Sequence, residues 1–127
     1  MNNLPDARGK ILVVDDEKSI VDALKMSLES DNYDVIEAYS GDGAIRKARS
    51  EIPDLILLDI MLPDRTGYEI CNKLRKDPLT RDIPIIMLTG MGETGRIPGI
   101  ELGANDYITK PFDLNLLREK IHTILGR

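Results

Sequence analysis

A single cysteine, Cys71, leaves no partner for an internal disulfide. No apolar run approaches the roughly 20 residues that cross a bilayer, and the opening Met1 to Lys10 is polar, without the apolar core of a signal peptide. Positive charge is also scarce. With 17 Lys and Arg against 22 Asp and Glu, the chain carries a net charge of −5, which argues against a nucleic-acid surface or a membrane-binding face, since both need clustered Lys and Arg. An acidic chain can still have a basic partner. Repeats and low-complexity segments are missing too. The expectation is a soluble, cytoplasmic protein.

What is present is enough for one core. The chain has 127 residues, of which 42% are hydrophobic, which suits a single domain. Met1 to Gly9 reads as a flexible tail, with the domain running from Lys10 to Arg127. Leu55-Ile56-Leu57-Leu58-Asp59, between Pro53 and Pro63-Asp64-Arg65-Thr66-Gly67, reads as a short strand buried on both faces, the habit of parallel sheets. Ile11-Leu12-Val13-Val14, stopped by Asp15-Asp16-Glu17, repeats the pattern, and Pro84 to Leu88, ending at Thr89, repeats it again. Asp34 to Ala38 is a more polar strand suited to a sheet edge, and Asp106-Tyr107-Ile108 is a short fifth strand before Lys110-Pro111.

Helical stripes separate these strands. Ile20, Val21, Leu24 and Leu28 form one, Ala44, Ile45 and Ala48 another, and Tyr68, Ile70, Cys71 and Leu74 a third. The third closes on Lys73, Arg75 and Lys76, read as a solvated helix end. The last stripe is Leu114, Leu117, Ile121, Ile124 and Leu125, with Asp113 as its N-cap. Between Gly90 and Gly103 the glycines and Pro98 weaken any fourth helix, which is expected to be short or disordered. Strands alternating with helices imply a mostly parallel, doubly wound sheet covered on both faces.

Ligands of such sheets sit beyond the carboxyl ends of the strands. If the strands ending in Asp15-Asp16, Asp59 and Thr89 are neighbours, three carboxylates meet in one crevice and repel by several kcal/mol, so a cation is required. Oxygen ligands with room for water fit Mg²⁺ better than a Ca²⁺ cage. Lys110 supplies a second positive charge. The set reads as a carboxylate nucleophile, Asp59, that attacks phosphorus, with Mg²⁺ and Lys110 neutralising the transferring group and the Thr89 hydroxyl donating to it.

Val13-Val14-Asp15-Asp16-Glu17, Leu57-Leu58-Asp59-Ile60-Met61-Leu62-Pro63-Asp64-Arg65-Thr66-Gly67, Leu88-Thr89-Gly90 and Gly103-Ala104-Asn105-Asp106-Tyr107-Ile108-Thr109-Lys110-Pro111-Phe112 together resemble the receiver domain of two-component response regulators. The resemblance runs from Lys10 to the C-terminus. It implies a flavodoxin-like five-stranded sheet of order 2-1-3-4-5. It also implies a signalling domain, not an enzyme with a separate substrate, that catalyses its own phosphorylation and dephosphorylation at Asp59. The donor would be a histidine kinase or a histidine phosphotransfer protein. Asp16 and Asp59 would bind Mg²⁺ directly with the main-chain carbonyl of Met61, and Asp15 mostly through water. Thr89 and Tyr107 look like the switch pair, and the peptide between Lys110 and Pro111 would be cis. The face built by the fourth helix, the fifth strand and the last helix would serve a homodimer or an effector, with no direct nucleic-acid contact by this domain. One departure stands out: the spacing from Thr89 to Gly103 is one residue short of the family's usual length.

Plainer readings exist for most of these residues. Asp15 and Asp16 could cap the first helix, Thr89 could be a strand-end hydroxyl and Tyr107 ordinary packing. Cys71 reads as an inert core thiol and His122 as a lone surface histidine, while Met61 and Met91 stand by position beside the crevice, where members of the resembled family vary to tune phosphoryl lifetime, with incidental surface apolar residues as the plainer reading. Three rival functions fit less well. A receiver-like binding module without phosphate chemistry is disfavoured by the intact set Asp15, Asp16, Asp59, Thr89 and Lys110. An aspartyl-phosphate hydrolase would want an acid where Met61 stands. In a flavin carrier, Asp15 and Asp16 would repel the phosphate.

Overall fold

The computed structural model describes residues 8–90 and 103–126. Its elements are β1 (Lys10–Val14), α1 (Lys18–Ser30), β2 (Asp34–Ala38), α2 (Gly41–Glu51), β3 (Leu55–Asp59), α3 (Gly67–Lys76), β4 (Ile85–Thr89), β5 (Asp106–Thr109) and the C-terminal helix, here α4 (Leu114–Leu125). The helix considered between Gly90 and Gly103, Met91 and most of the N-terminal tail lie outside the described residues. The five strands are parallel in the order β2-β1-β3-β4-β5, the winding expected from the sequence.

The unbroken apolar runs follow from this burial. Side chains alternate across a strand, so Leu12, Val14, Ile56 and Leu58 face α2 and α3, where Ala44, Ala48, Ile70, Cys71 and Leu74 pack on them. Ile11, Val13, Leu55 and Leu57 face α1 and α4, meeting Val21, Leu24, Leu28, Leu117 and Ile121. Every residue of β3 and β4 is buried. The edge strands β2 and β5 are only partly covered, which is why they are the more polar pair.

Three of the four described helices start on side-chain caps, α1 being the exception. Ser40 accepts from the Gly43 amide, Thr66 and Glu69 form a reciprocal capping box, and Asp113 accepts from the Asn115 and Leu116 amides. Gly41 and Gly43 lie inside the first turn of α2. A Cβ on Gly41 would sit 3.0 Å from Ile70 Cδ1 and 3.1 Å from Arg65 Cβ, so the absence of a side chain lets α2 seat against α3.

Three readings of helix residues need correction. Lys73 and Lys76 are solvated, but Arg75 is not a free helix end. Its guanidinium donates to the carbonyls of Gly103 (2.9 and 2.7 Å), Arg81 (3.0 Å) and Ile83 (2.7 Å), and to Asn105 Oδ1 at 3.2 Å. It ties the end of α3 to the entries of β4 and β5. His122 is not solitary: its Nε2 lies 3.2 Å from Asp31 Oδ2 and 3.2 Å from an Arg8 nitrogen, while Arg118 donates to Asp31 at 3.0 and 3.3 Å. Hydrogen bonding from Arg118 holds the Asp31 carboxyl below its ordinary range, against the opposing cost of burial. Finally, Leu114 is 39% exposed, so the buried stripe of α4 is carried by Leu117 and Ile121, with Ile124 and Leu125 only partly covered.

Candidate functional site

The parallel register brings the chemical residues to one end of the sheet. Val14 pairs with Leu58 and Asp59 with Leu88, so the residues ending β1, β3 and β4 are lateral neighbours. Asp15 is fully buried, Asp59 is 5% exposed, and Asp16 is exposed. Carboxylate oxygens of the three lie within 4.8 Å of one another. The burial follows from the fold: Asp15 continues the β1 ladder, its amide donating to the Ala38 carbonyl at 3.2 Å.

Lys110 reaches this cluster from the loop after β5. Its own amide donates to the Thr89 carbonyl at 2.7 Å, and the Lys110–Pro111 peptide is cis. The ammonium lies 2.8 Å from Asp15 Oδ2 and 3.4 Å from Asp59 Oδ1. Asp15 Oδ1 accepts from the Glu17 amide at 3.0 Å, and Asp59 Oδ1 from the Met61 amide at 3.3 Å. Burial above all, and then the charge of Asp15, push the Asp59 carboxyl up from its ordinary value, with Lys110 pulling the other way. For Lys110 burial works against the charge, but the hydrogen bond to Asp15 and the charges of Asp59 and Asp15 outweigh it and raise the ammonium. Three carboxylates and one ammonium leave about two negative charges unbalanced, a deficit that fits one divalent cation held by oxygen ligands.

The loop beyond Asp59 is built around Gly67. Its amide donates to the Ile60 carbonyl at 2.6 Å, and Met61 bridges Thr66 in antiparallel fashion. A Cβ at Gly67 would lie 2.7 Å from the Asp59 carbonyl oxygen and 2.9 Å from Ile60 Cα, backbone atoms that cannot give way. Gly67→Ala is therefore expected to cost about 1–3 kcal/mol, the usual range for overpacking, and to displace Asp59. Urea denaturation would read the loss, and an unchanged midpoint would refute the close approach.

Sequence reasoning missed Asp64. Its two carboxylate oxygens accept from the first amides of α2, Gly41 at 2.7 Å and Asp42 at 3.0 Å, and Arg65 pairs with Asp42 at 2.9 Å. These amide bonds hold the Asp64 carboxyl below its ordinary value. The loop that follows Asp59 is thus pinned to α2. Nothing local marked Asp64 for this, because its partners are distant in sequence.

Thr89 is fully buried at the end of β4. Met87 pairs with Tyr107 and Thr89 with Thr109, so Thr89 and Tyr107 belong to the same sheet face on adjacent strands. Tyr107 is half-buried and packs against the core on the α2 and α3 side. Met61 is 64% exposed beside the crevice, and Cys71 is buried with its thiol pushed up, chiefly by burial.

Fold and site together define a doubly wound α/β domain with an acidic, lysine-closed crevice at its switch point. The response regulator receiver domain family matches residues 11–122, and the chain belongs to that family. It is 50% identical over 119 residues to the alkaline phosphatase synthesis transcriptional regulatory protein PhoP of Bacillus subtilis (strain 168). That match covers 93% of this chain but 49% of PhoP, so the chain spans about half the length of this relative. Among solved structures, a protein assigned as a response regulator in Chloroflexus aurantiacus J-10-fl superposes with a TM-score of 0.89 at 38% identity, covering 94% of this chain and 98% of that one. A two-component response regulator from Clostridium difficile gives 0.88 at 34% identity, with the same coverage of 94% and 98%. The domain therefore belongs to phosphorylation-based two-component signalling. Among the described residues no helix is long and apolar enough to cross a membrane.

Proposed function

We propose that Asp59 accepts a phosphoryl group from a histidine kinase or a histidine phosphotransfer protein and that its modification switches the domain between two conformations. The observation that carries this reading is the pair of buried carboxylates, Asp15 and Asp59, sharing one ammonium, Lys110. An Asp59 oxygen forms the new O–P bond while the P–N bond of the donor imidazole breaks, and the leaving nitrogen takes its proton from solvent. Asp15, Asp16 and Asp59, with the main-chain carbonyl of Met61, are the residues to hold Mg²⁺, which when bound supplies positive charge against the phosphoryl oxygens. Lys110 neutralises a further oxygen, and the Thr89 hydroxyl donates to another.

Phosphorylation adds roughly −1.5 to −2 charges at Asp59. Thr89 is drawn toward the new oxygens, and the space it leaves on the shared sheet face admits the Tyr107 ring. A coupling of about 1–3 kcal/mol suffices to shift such a two-state population. The output face includes β5 and α4, where a second copy or an effector would read the change. The domain is taken as Lys10 to Arg127 with Met1 to Gly9 as its tail, acting in the cytoplasm.

Incubation with Mg²⁺ and acetyl phosphate is expected to add one phosphoryl mass, which peptide mapping places on Asp59. A label on any other residue would overturn the assignment. Thr89→Ala is expected to accept phosphate still, but to lose the amide chemical-shift changes in β5 and α4 that accompany labelling of the parent chain. Retention of those changes would remove Thr89 from the switch.

A further inference from the structure

The C-terminal halves of α2 and α3 enclose an open cleft at the end of the sheet opposite Asp59. Ile45 and Leu74 contribute to its apolar part, and Arg49, Lys73, Lys76 and Asp77 line its polar part. Three cations against one carboxylate is a local reversal of sign in a chain of net charge −5. Asp77 offsets one of them, Arg49, which it pairs at 2.9 Å while accepting from the Leu79 amide at 3.0 Å, so the remaining excess is the two lysines. Among the described residues Lys73 and Lys76 have no carboxylate within ion-pair distance. The acids of the phosphoacceptor crevice lie at the far end of the domain, and their field is damped over a Debye length of about 8 Å at physiological salt.

The second observation is Ile52, which ends α2 one turn beyond Arg49. Its backbone is left-handed, φ 43° and ψ 66°, at the helix C-cap, a conformation that favours glycine or asparagine and is a steric outlier for a β-branched residue. Its side chain is nevertheless 47% exposed. Neither local conformation nor solvation favours isoleucine here, which points to a use for an apolar side chain at this place. Leu79, beyond Asp77 on the other flank, is 54% exposed. Exposed aliphatic side chains therefore follow, within three residues, the last turns of the two helices that line the cleft.

We propose that the α2–α3 cleft is a docking surface for an acidic segment of a partner protein, which sets apolar side chains against Ile45 and Ile52 and carboxylates against Lys73 and Lys76. Charge complementarity selects this occupant. A nucleic-acid duplex is a poorer match, because an acidic chain with an apolar cleft floor lacks the extended row of cations that a phosphate backbone requires. The surface is separate from the crevice around Asp59, so a partner can remain seated while the phosphoryl group comes and goes.

The probe is a synthetic amphipathic peptide of alternating Glu and Leu, titrated into the isotopically labelled full chain, with a Lys and Leu peptide and a short DNA duplex as comparisons. The Glu peptide is expected to shift amides in Ile45 to Ile52 and Asn72 to Leu79, more weakly as salt rises. Combined Lys73→Glu and Lys76→Glu is expected to weaken binding about tenfold, since each reversal removes an attraction and adds a repulsion. Labelling by acetyl phosphate stays unchanged in that variant, which separates this proposal from the assignment of Asp59. Ile52→Gly is expected to raise stability while lowering peptide affinity several-fold. The proposal is overturned if the Glu peptide leaves the cleft amides unmoved, if the Lys peptide or the duplex shifts them more, or if Ile52→Gly binds as tightly as the parent. It is also overturned if the free chain dimerises through these residues, which would make a second copy the occupant.

Discussion

Asp59→Asn takes no label from acetyl phosphate and unfolds at higher urea concentration than the parent. The loss of labelling is expected to be complete to background, since the amide cannot serve as the attacking oxygen and the buried carboxylate nearby, Asp15, is held by Lys110 at 2.8 Å. The gain in stability has a separate cause. In the parent without Mg²⁺, two buried carboxylates share one ammonium, and Asp59 is the more loosely held, 3.4 Å from Lys110. Removing its charge keeps the tighter pair and relieves the repulsion, a change worth about 1–2 kcal/mol once the lost attraction to Lys110 is subtracted.

The pH dependence follows from the same group. The Asp59 carboxyl is raised in the folded chain, mainly by burial and then by Asp15. A raised carboxyl binds its proton more tightly folded than unfolded, so its stabilising contribution is full below the ordinary value of 3.8 and is lost as pH rises through the elevated one. In chelator, the advantage of Asp59→Asn over the parent should therefore be largest near neutrality and shrink as pH falls toward that ordinary value. An advantage that is flat with pH, or a destabilised variant, would refute the electrostatic account of the crevice.

The second large effect lies far from the chemistry. Arg75→Met is expected to destabilise the domain by about 3 kcal/mol, because it removes charged hydrogen bonds and leaves the Gly103 and Ile83 carbonyls with lost partners. Arg75→Lys should recover only part of this, since one ammonium cannot span the carbonyls of Gly103, Arg81 and Ile83 as a planar fork does. Chemical denaturation of both variants reads the difference. If lysine restores full stability, a single contact and not the fork is what counts.

Arg75 and Asp64 show why parts of this protein were not legible from its sequence. Both look like ordinary polar residues at a helix end or in a loop, and each finds its partners across the fold, Arg75 at Gly103 and Asp64 at Gly41. Asp31 and His122 make the same point. A side chain's role in joining two elements has no periodicity of its own.

The strands are the opposite case. For β1, β3 and β4, the order in the chain, the burial on both faces and the polar residues at their ends were written in uninterrupted apolar runs, because a strand covered by helices on both sides can tolerate polar residues only where it stops. Local pattern alone thus determined the fold class, the family resemblance and the identity of Asp15, Asp59, Thr89 and Lys110 as candidates. What only the tertiary structure decided was distance. Parallel register and the Lys110 to Thr89 backbone bond set one ammonium between two buried carboxylates. Coulomb energy depends on separation and burial, and neither is fixed until the chain has closed on itself.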